Sequence, residues 1–143
     1  MYKHILIPTD GSKLSTKAIK HGISLAKSIK AKVTAVTVSK PIEGLAFELM
    51  TDTPEQYKKN AANLAAEHLR VAKDMATAAG VTCNVVHVEH HFPYEAIIIA
   101  AKRARCDLIV MASHGRSGYA AVLLGSETVK VMTHSKIPVL VYR

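Results

Sequence analysis

Residues 4–12 read His-Ile-Leu-Ile-Pro-Thr-Asp-Gly-Ser, and this stretch sets the pattern that the rest of the chain repeats. Its first half is a short apolar run, which predicts a buried strand, and its second half is a cluster of turn and capping residues. From Leu14 onward the apolar residues recur at helical spacing, and Ser12 is a suitable N-cap for that helix. The stretch therefore predicts a strand, a tight turn and a helix, the first half of a β-α-β unit.

The alternation of strand and helix patterns continues along the chain. Further apolar runs predict strands at 33–38, 81–88, 107–112 and 137–141. Between them, three more helical patterns begin at Pro54, Pro93 and Ser126, and Ser126 is the predicted N-cap of the last helix. Residues 40–53 have no clean period and contain a proline and a glycine, so we predict a loop there.

Strict alternation of strands and helices is typical of a parallel sheet that is covered by helices on both faces. The strands are almost continuously apolar, which indicates that they are buried on both sides. No linker or low-complexity tract interrupts the pattern. We therefore predict a single α/β domain over residues 1–143.

The composition narrows the class of protein. The chain has 143 residues, of which 49% are hydrophobic and 21% charged, and this excludes a wholly disordered protein. The formal net charge of +8 favours an anionic partner. No run of eighteen apolar residues is present and the short apolar run near the N-terminus stops at Pro8, so we expect neither a membrane span nor a signal peptide. A reduced, cytoplasmic protein is the expectation.

Ligands of an open doubly wound sheet bind beyond the carboxyl ends of the strands, where the direction of winding reverses. The predicted loops at that edge are 8–12, 39–53 and 112–126. The last loop reads Ala-Ser-His-Gly-Arg-Ser-Gly-Tyr-Ala-Ala-Val-Leu-Leu-Gly-Ser. Its glycines allow backbone N–H groups to approach an anion, and the start of the following helix adds more N–H groups and a favourable dipole. Arg116 is the one basic residue that we place at this site, as a donor to phosphate.

Two interpretations of this loop remain open from the residues alone. Backbone, hydroxyl groups and one cation suit a phosphate, but small residues with glycine also serve simply to turn the chain. The loop is not a P-loop, does not contain Gly-x-Gly-x-x-Gly and is one residue short of Gly-x-Ser-x-Gly. Standard mononucleotide, dinucleotide and hydrolase signatures are therefore excluded.

The chain resembles the UspA family of universal stress proteins over its whole length. The opening Ile-Leu-Ile-Pro-Thr-Asp-Gly-Ser of residues 5–12 is similar to the first strand and loop of that family. Residues 107–111 followed by 113–118 are similar to its fourth strand and glycine loop, and residues 123–126 and 137–141 to its last helix start and last strand. The nucleotide-binding branch carries Gly-x2-Gly-x9-Gly-Ser/Thr. Gly115, Gly125 and Ser126 fit that spacing here, and Ala112 stands at the first glycine.

The resemblance implies an open, doubly wound, five-stranded parallel sheet of order 3-2-1-4-5 with helices on both faces. It also implies that the protein binds an adenine nucleotide, ATP or AMP, with or without Mg²⁺. Pro8, Thr9 and Asp10 would line the ribose and adenine, with Asp10 accepting from a hydroxyl, and Val38 would hold the adenine edge through its backbone. The implied phosphate contacts are Ala112, Ser113, His114, Gly115, Arg116, Ser117, Gly118, Gly125, Ser126, Glu127 and Thr128.

The function that we predict is a stress-response protein for which the nucleotide is a regulatory ligand with little or no hydrolysis, so no residue is assigned as catalytic. The resemblance further implies a homodimer, paired through the last strand at Ile137, Val139 and Val141. Two alternatives stay open. One is a dimeric interaction protein of the same fold that binds no nucleotide, which the replacement of a motif glycine by Ala112 favours. The other is a slow ATP hydrolase.

Three other groups of residues invite a functional interpretation. His87, His90 and His91 are clustered, but a zinc site needs three or four converging ligands, and exposed histidines at a strand end are the simpler interpretation. Cys83 and Cys106 are expected to be buried, reduced thiols, with a redox role as the weaker alternative. The lysine stripe of the first helix is expected to be a solvated face rather than a nucleic-acid site, because aromatic residues are only 5% and Trp is absent.

Overall fold

The computed structural model describes residues 1–115 and 124–143. Within these residues, strands and helices alternate in the predicted order, with one additional helix between the second strand and the long helix that follows it. The strands are β1 (His4–Pro8), β2 (Lys32–Ser39), β3 (Cys83–Glu89), β4 (Leu108–Ala112) and β5 (Val139–Tyr142). The helices are α1 (Lys13–Ile29), α2 (Gly44–Leu49), α3 (Pro54–Ala79), α4 (Pro93–Arg103) and α5 (Ser126–His134).

The strands form one parallel sheet in the order β3-β2-β1-β4-β5, which confirms the predicted topology. The direction of winding reverses between β1 and β4, where Ile5 pairs with Leu108 and Leu6 with Ile109. Because parallel strands end at the same edge, the segments that follow β1 and β4 leave the sheet side by side. The reversal therefore places the two predicted ligand loops next to each other.

The core has two layers, one on each face of the sheet. Ile5 and Ile7 of β1 point to the layer beneath α1 and α3, whereas Leu6 points to the layer beneath α4 and α5. All three side chains are fully buried, as the apolar run predicted. The prediction of burial on both sides is wrong for both edge strands: Val85 and Val86 of β3 are 45% and 37% exposed, and Leu140 of β5 is 49% exposed. β3 is an edge strand with one neighbour, so it has less cover than the central strands.

Two local predictions need correction. Residues 40–53 are not entirely a loop, because α2 forms within them; its Leu45 and Leu49 are 68% and 71% exposed. A helix of six residues that buries no face produces no periodic pattern, which is why the pattern did not reveal it. At α5 the N-cap is Gly125, and Ser126 is the first helical residue. The predicted cap at Ser12 is confirmed, since its side chain accepts a hydrogen bond from the backbone N–H of Ser15 at 3.1 Å.

The two cysteines are buried, as expected. Cys83 lies at the start of β3, and Cys106 precedes β4. Burial, followed by the nearby Asp107 carboxylate, raises the pKa of the Cys106 thiol to about 11. A thiol of this kind is largely protonated at neutral pH and is therefore a poor nucleophile. In the described ranges 1–115 and 124–143, no helix has the length and apolar character that crossing a membrane requires.

Asp107 fastens the beginning of β1 to the beginning of β4, at the edge opposite the ligand loops. One carboxylate oxygen accepts from the backbone N–H of His4 at 3.0 Å, and the other from that of Lys3 at 2.8 Å. Burial acts to raise the pKa of Asp107, but the N–H donors of His4 and Lys3 outweigh it and leave the pKa below its ordinary value of 3.8.

Replacing Asp107 with asparagine is expected to lower the free energy of unfolding by about 1–2 kcal/mol at pH 7, because charge-assisted hydrogen bonds are lost. A carboxyl whose pKa is lowered by folding contributes stability above its unfolded pKa, and this contribution disappears as the pH falls through the folded pKa. Urea unfolding of both proteins should therefore show a stability difference that narrows as the pH falls below 3.8. A stability difference that is constant from pH 7 to pH 3 would contradict the assignment.

Candidate functional site

A cavity of about 520 Å³ opens at the carboxyl edge of the sheet, at the place where β1 and β4 lie side by side. Eleven of the predicted site residues line it: Pro8, Thr9, Asp10, Val38, Ala112, His114, Gly115, Gly125, Ser126, Glu127 and Thr128. Ser113 is buried behind the wall, and Arg116, Ser117 and Gly118 lie outside the described residues. The structure thus gathers residues from two distant parts of the chain around one space.

The segment after β1 is held by its own polar groups. The backbone N–H of Thr9 donates to the carbonyl of Val36 at 2.9 Å, and the hydroxyl of Thr37 donates to the carbonyl of Thr9 at 3.0 Å. The Asp10 carboxylate accepts from the backbone N–H of Ser12 at 2.9 Å, a turn that directs the side chain back toward the sheet edge. This hydrogen bond orients Asp10, which lines the cavity.

Ser113 joins the two ends of the glycine loop. Its backbone N–H donates to the carbonyl of Tyr142 at 2.7 Å, and its own carbonyl accepts from the N–H of Gly125 at 2.6 Å. A Cβ at Gly125 would lie 3.1 Å from the Cα of His114, so only glycine allows this approach without a shift of the backbone. The start of α5 is consequently seated directly against His114.

Gly115 brings the second loop against the first. A Cβ at this position would overlap the Oδ2 atom of Asp10, so the absence of a side chain allows the two loops to touch. Asp10 and Gly115 both line the cavity. The two loops therefore meet within the lining of the cavity.

Ala112 ends β4 in ordinary extended backbone. It pairs with Tyr142 in the sheet, its carbonyl accepts from the Thr128 hydroxyl at 3.0 Å, and it is absent from the residues with positive φ. An alanine is therefore not strained where the family motif has its first glycine. The hydrogen of the Thr128 hydroxyl is used for this internal hydrogen bond, so the donor that Thr128 can offer a ligand is its backbone N–H.

The first turns of two helices border the cavity. Pro93 of α4 lies on one side, and Ser126 and Glu127 of α5 lie on another. The backbone N–H groups of a first helical turn have no acceptor within the helix, and the helix dipole makes this end attractive to anions. The Glu127 carboxylate accepts from the backbone N–H of Tyr94 at 2.9 Å, so it already serves the start of α4.

The cavity therefore combines apolar side chains, the Asp10 carboxylate and a helix N-terminus. The chain matches the universal stress protein family over residues 1–143. The chain belongs to this family. This confirms the resemblance that the sequence motifs indicated.

Among the relatives of this universal stress protein, one from Methanocaldococcus jannaschii, MJ0531, is 36% identical and covers 100% of this chain and 83% of its own length. The solved structure of MJ0577 from the same organism superimposes with a TM-score of 0.81 at 29% identity, covering 99% of this chain and 95% of that one. A universal stress protein solved in complex with cAMP superimposes with a TM-score of 0.70 at 28% identity, covering 99% and 97%.

The cavity has further lining residues that the sequence did not single out: Ser15, Val36, Lys40, Pro93, Ile97 and Met111. Most of them lie at the end of a predicted strand or the start of a predicted helix. Their position relative to these elements is the feature of the sequence that could have identified them. The sequence placed Arg116 as the one basic residue of the site, and Arg116 lies outside the described residues; the described lining contains another basic residue, Lys40. Its backbone is fixed because its carbonyl accepts from the Tyr57 hydroxyl at 3.0 Å.

The three clustered histidines of this universal stress protein take separate partners. His87 lies 2.7 Å from the Ser39 hydroxyl, and His91 lies 3.3 Å from the Glu43 carboxylate. His90 is 3.8 Å from Glu95. No group of three histidine, cysteine or acidic side chains within 1–115 and 124–143 is arranged to hold a metal ion.

Proposed function

We propose that this universal stress protein binds an adenine nucleotide, ATP or AMP, at the carboxyl edge of its sheet. The observation that carries the proposal is the single cavity shared by the Asp10 turn and the first turn of α5. This cavity offers one ligand a carboxylate that can accept from a hydroxyl and a helix N-terminus that can bind an anion. The universal stress protein solved with cAMP, at 28% identity, supports a ligand of this class.

The two ends of the cavity differ in chemistry, and this difference orients the nucleotide. Val36, Val38, Ile97 and Met111 supply an apolar end, which suits the base. Ser126, with the glycines that precede it, forms the end that suits phosphate. We propose that Arg116, Ser117 and Gly118 also contact the phosphate. Asp10 would accept from a ribose hydroxyl between the two ends. Mg²⁺ would accompany the phosphates of ATP rather than occupy a protein site.

Titration calorimetry with ATP, AMP and adenosine tests this proposal directly. We expect saturable heat for the nucleotides and weaker binding of adenosine, because adenosine lacks the group that α5 would hold. Inorganic triphosphate should bind more weakly than ATP, because it lacks the base. Absence of heat and of a thermal shift at millimolar nucleotide would show that the site is not a nucleotide site.

The nucleotide is proposed to act as a regulatory ligand with little or no hydrolysis. The Asp10 carboxylate is held by Ser12 and abuts Gly115, which suits binding of a hydroxyl rather than movement of a proton. Incubation with ATP and Mg²⁺ should therefore release phosphate no faster than the ATP control. Steady turnover that disappears in Asp10→Ala would establish the hydrolase alternative instead.

Replacing Ala112 with glycine is expected to change the nucleotide Kd by less than about threefold. The backbone at this position is already extended, so glycine relieves no strain, and the main effect is a loss of about 0.5–1 kcal/mol of stability in the strand. Calorimetry and thermal melts on the two proteins check this. If the glycine variant binds ATP and the unmodified protein does not, the alternative of an interaction protein with an empty site is correct.

The protein is further proposed to form a homodimer through β5, the edge strand beside β4. The carbonyls of Pro138 and Tyr142 accept hydrogen bonds from the backbone N–H groups of Ile109 and Ser113, so the backbone groups of the alternate residues, Val139 and Val141, face the free edge. Leu140 adds a 49% exposed apolar side chain to the same strand. These features suit antiparallel pairing with a second β5, with Ile137, Val139 and Val141 at the interface.

Replacing Val141 with proline is expected to convert the dimer to a monomer. Proline removes an N–H that faces the free edge and spares the hydrogen bonds to β4. Light scattering after size exclusion measures the mass, and a thermal melt confirms that the monomer is folded. A dimer that persists in the proline variant would show that the interface does not involve pairing of β5.

A further inference from the structure

Glu127 places a negative charge at the end of the cavity that suits phosphate. It is the second residue of α5 and lines the cavity beside Ser126. One carboxylate oxygen accepts from the backbone N–H of Tyr94 at 2.9 Å, and the other lies 3.6 Å from the ammonium group of Lys130. The charge therefore has a defined position.

The contact with Tyr94 fixes this carboxylate. Phe92, the N-cap of α4, provides no side-chain hydrogen bond to the helix, so Glu127 supplies the acceptor that the first turn of α4 lacks. Movement of the carboxylate out of the site would leave the Tyr94 N–H without that acceptor. One acidic side chain thus serves the starts of two helices that both border the cavity.

A fixed carboxylate at this place opposes part of the attraction that the α5 N-terminus exerts on a phosphate. The opposition grows with the charge of the ligand, so it is small for a monophosphate and large for a triphosphate. Lys130 reduces the repulsion but does not remove it, because its side chain is 48% exposed and solvent screens its charge.

We propose that Glu127 is a specificity-determining residue that makes the site prefer adenine monophosphates over ATP. The inference rests on the proposed nucleotide site and adds that this site discriminates between adenine nucleotides by their charge. Ser126 and the backbone of the first turn hold one phosphate group, and Glu127 limits how much further negative charge the site accepts. The ligand class is an adenine nucleotide with a single phosphate group.

The test replaces Glu127 with glutamine, whose carbonyl oxygen still accepts from Tyr94. Calorimetry at low salt without Mg²⁺ gives the Kd of adenosine, AMP and ATP for both proteins. We expect E127Q to bind ATP about tenfold more tightly, AMP about threefold more tightly and adenosine without change. The gain for ATP should shrink at high salt because the charges are screened.

Two further variants separate a local charge effect from a general one. Glu95→Gln removes the same charge from α4, and Glu95 is not among the residues lining the cavity, so no Kd should change by more than about twofold. Lys130→Met removes the neighbouring cation and should have the opposite effect on affinity. It should weaken the binding of ATP more than the binding of AMP. This second variant also keeps the test decisive if E127Q is unstable.

The outcomes distinguish the inference from the proposed function. If AMP and ATP bind but their Kd ratio is the same in the unmodified protein, E127Q and Lys130→Met, the inference is wrong and the nucleotide site stands. If the unmodified protein binds ATP more tightly than AMP under these conditions, the inference is also wrong. If no adenine nucleotide binds to any of these proteins, the nucleotide site itself is wrong.

Discussion

Replacing Gly115 with alanine is expected to weaken nucleotide binding at least about tenfold and to leave the fold intact. The new Cβ would overlap Oδ2 of Asp10, and this carboxylate is the end of a side chain that can rotate away. Rotation removes the proposed acceptor for the ribose hydroxyl and breaks the hydrogen bond from the Ser12 N–H. The stability cost is therefore modest, whereas a charge-assisted hydrogen bond to the ligand is lost, a change worth about 1.5–3 kcal/mol.

A double-mutant cycle with Asp10→Ala shows whether the effect acts through Asp10. Asp10→Ala alone should weaken binding by a similar factor. The double variant should bind nucleotide no more weakly than either single variant, because the steric overlap and the acceptor have both been removed. Calorimetry provides the Kd for each protein.

Gly80→Ala is a suitable control for the cost of a Cβ alone. Gly80 has a φ of +73°, and a Cβ there would have no neighbouring atom within 4 Å, so alanine lowers stability without touching the site. Its Kd should equal that of the unmodified protein. Additive losses in the cycle, or an unchanged Kd in Gly115→Ala, would show that contact between the two loops does not hold the ligand.

The sheet and the location of the cavity could be predicted because both depend on regular patterns. The five apolar runs and the helical spacing between them define the order of elements, and parallel strands bring their carboxyl ends to a common edge. The loops after β1 and β4 therefore meet, although they are about a hundred residues apart. That Asp10 touches Gly115 follows from this topology and from the lack of a side chain at 115.

The features that the sequence did not predict depend on contacts between distant residues. The role of Glu127 depends on Tyr94, which is 33 positions away and donates from its backbone, so no side-chain pattern indicates the pair. Lys40 lines the cavity because Tyr57 of α3 fixes the backbone after β2. Helix α2 was missed because it buries no residue and so has no apolar face for a pattern to reveal.

Replacing Gly22 with valine is expected to lower the free energy of unfolding by about 3 kcal/mol, the largest stability effect that we predict. Gly22 lies within α1, where it packs on β1 and β4. A Cβ there would lie 2.5 Å from Cδ1 of Ile7 and 3.4 Å from Cγ1 of Val110. Ile7 and Val110 are buried in the same core layer, so neither can move without displacing other core residues.

Alanine at position 22 separates the two opposing effects. It should gain about 1 kcal/mol of helix propensity over glycine and lose about 1–3 kcal/mol to overpacking, so its net cost is smaller than that of valine. Ile7→Val removes the Cδ1 methyl that the new side chain would meet, at a cost of about 0.5–1.5 kcal/mol. The double variant should therefore be more stable than the sum of the two single changes by about 1 kcal/mol.

Urea unfolding of the four proteins in this cycle, with the valine variant alongside, provides the free energies. If alanine at 22 stabilises the protein and its effect adds to that of Ile7→Val, the close approach of α1 to the sheet is absent in solution. Because the β1 residues that receive α1 lead directly into Pro8 and Asp10, the valine variant should also weaken nucleotide binding. Retention of full affinity in that variant would show that the site tolerates a displaced α1.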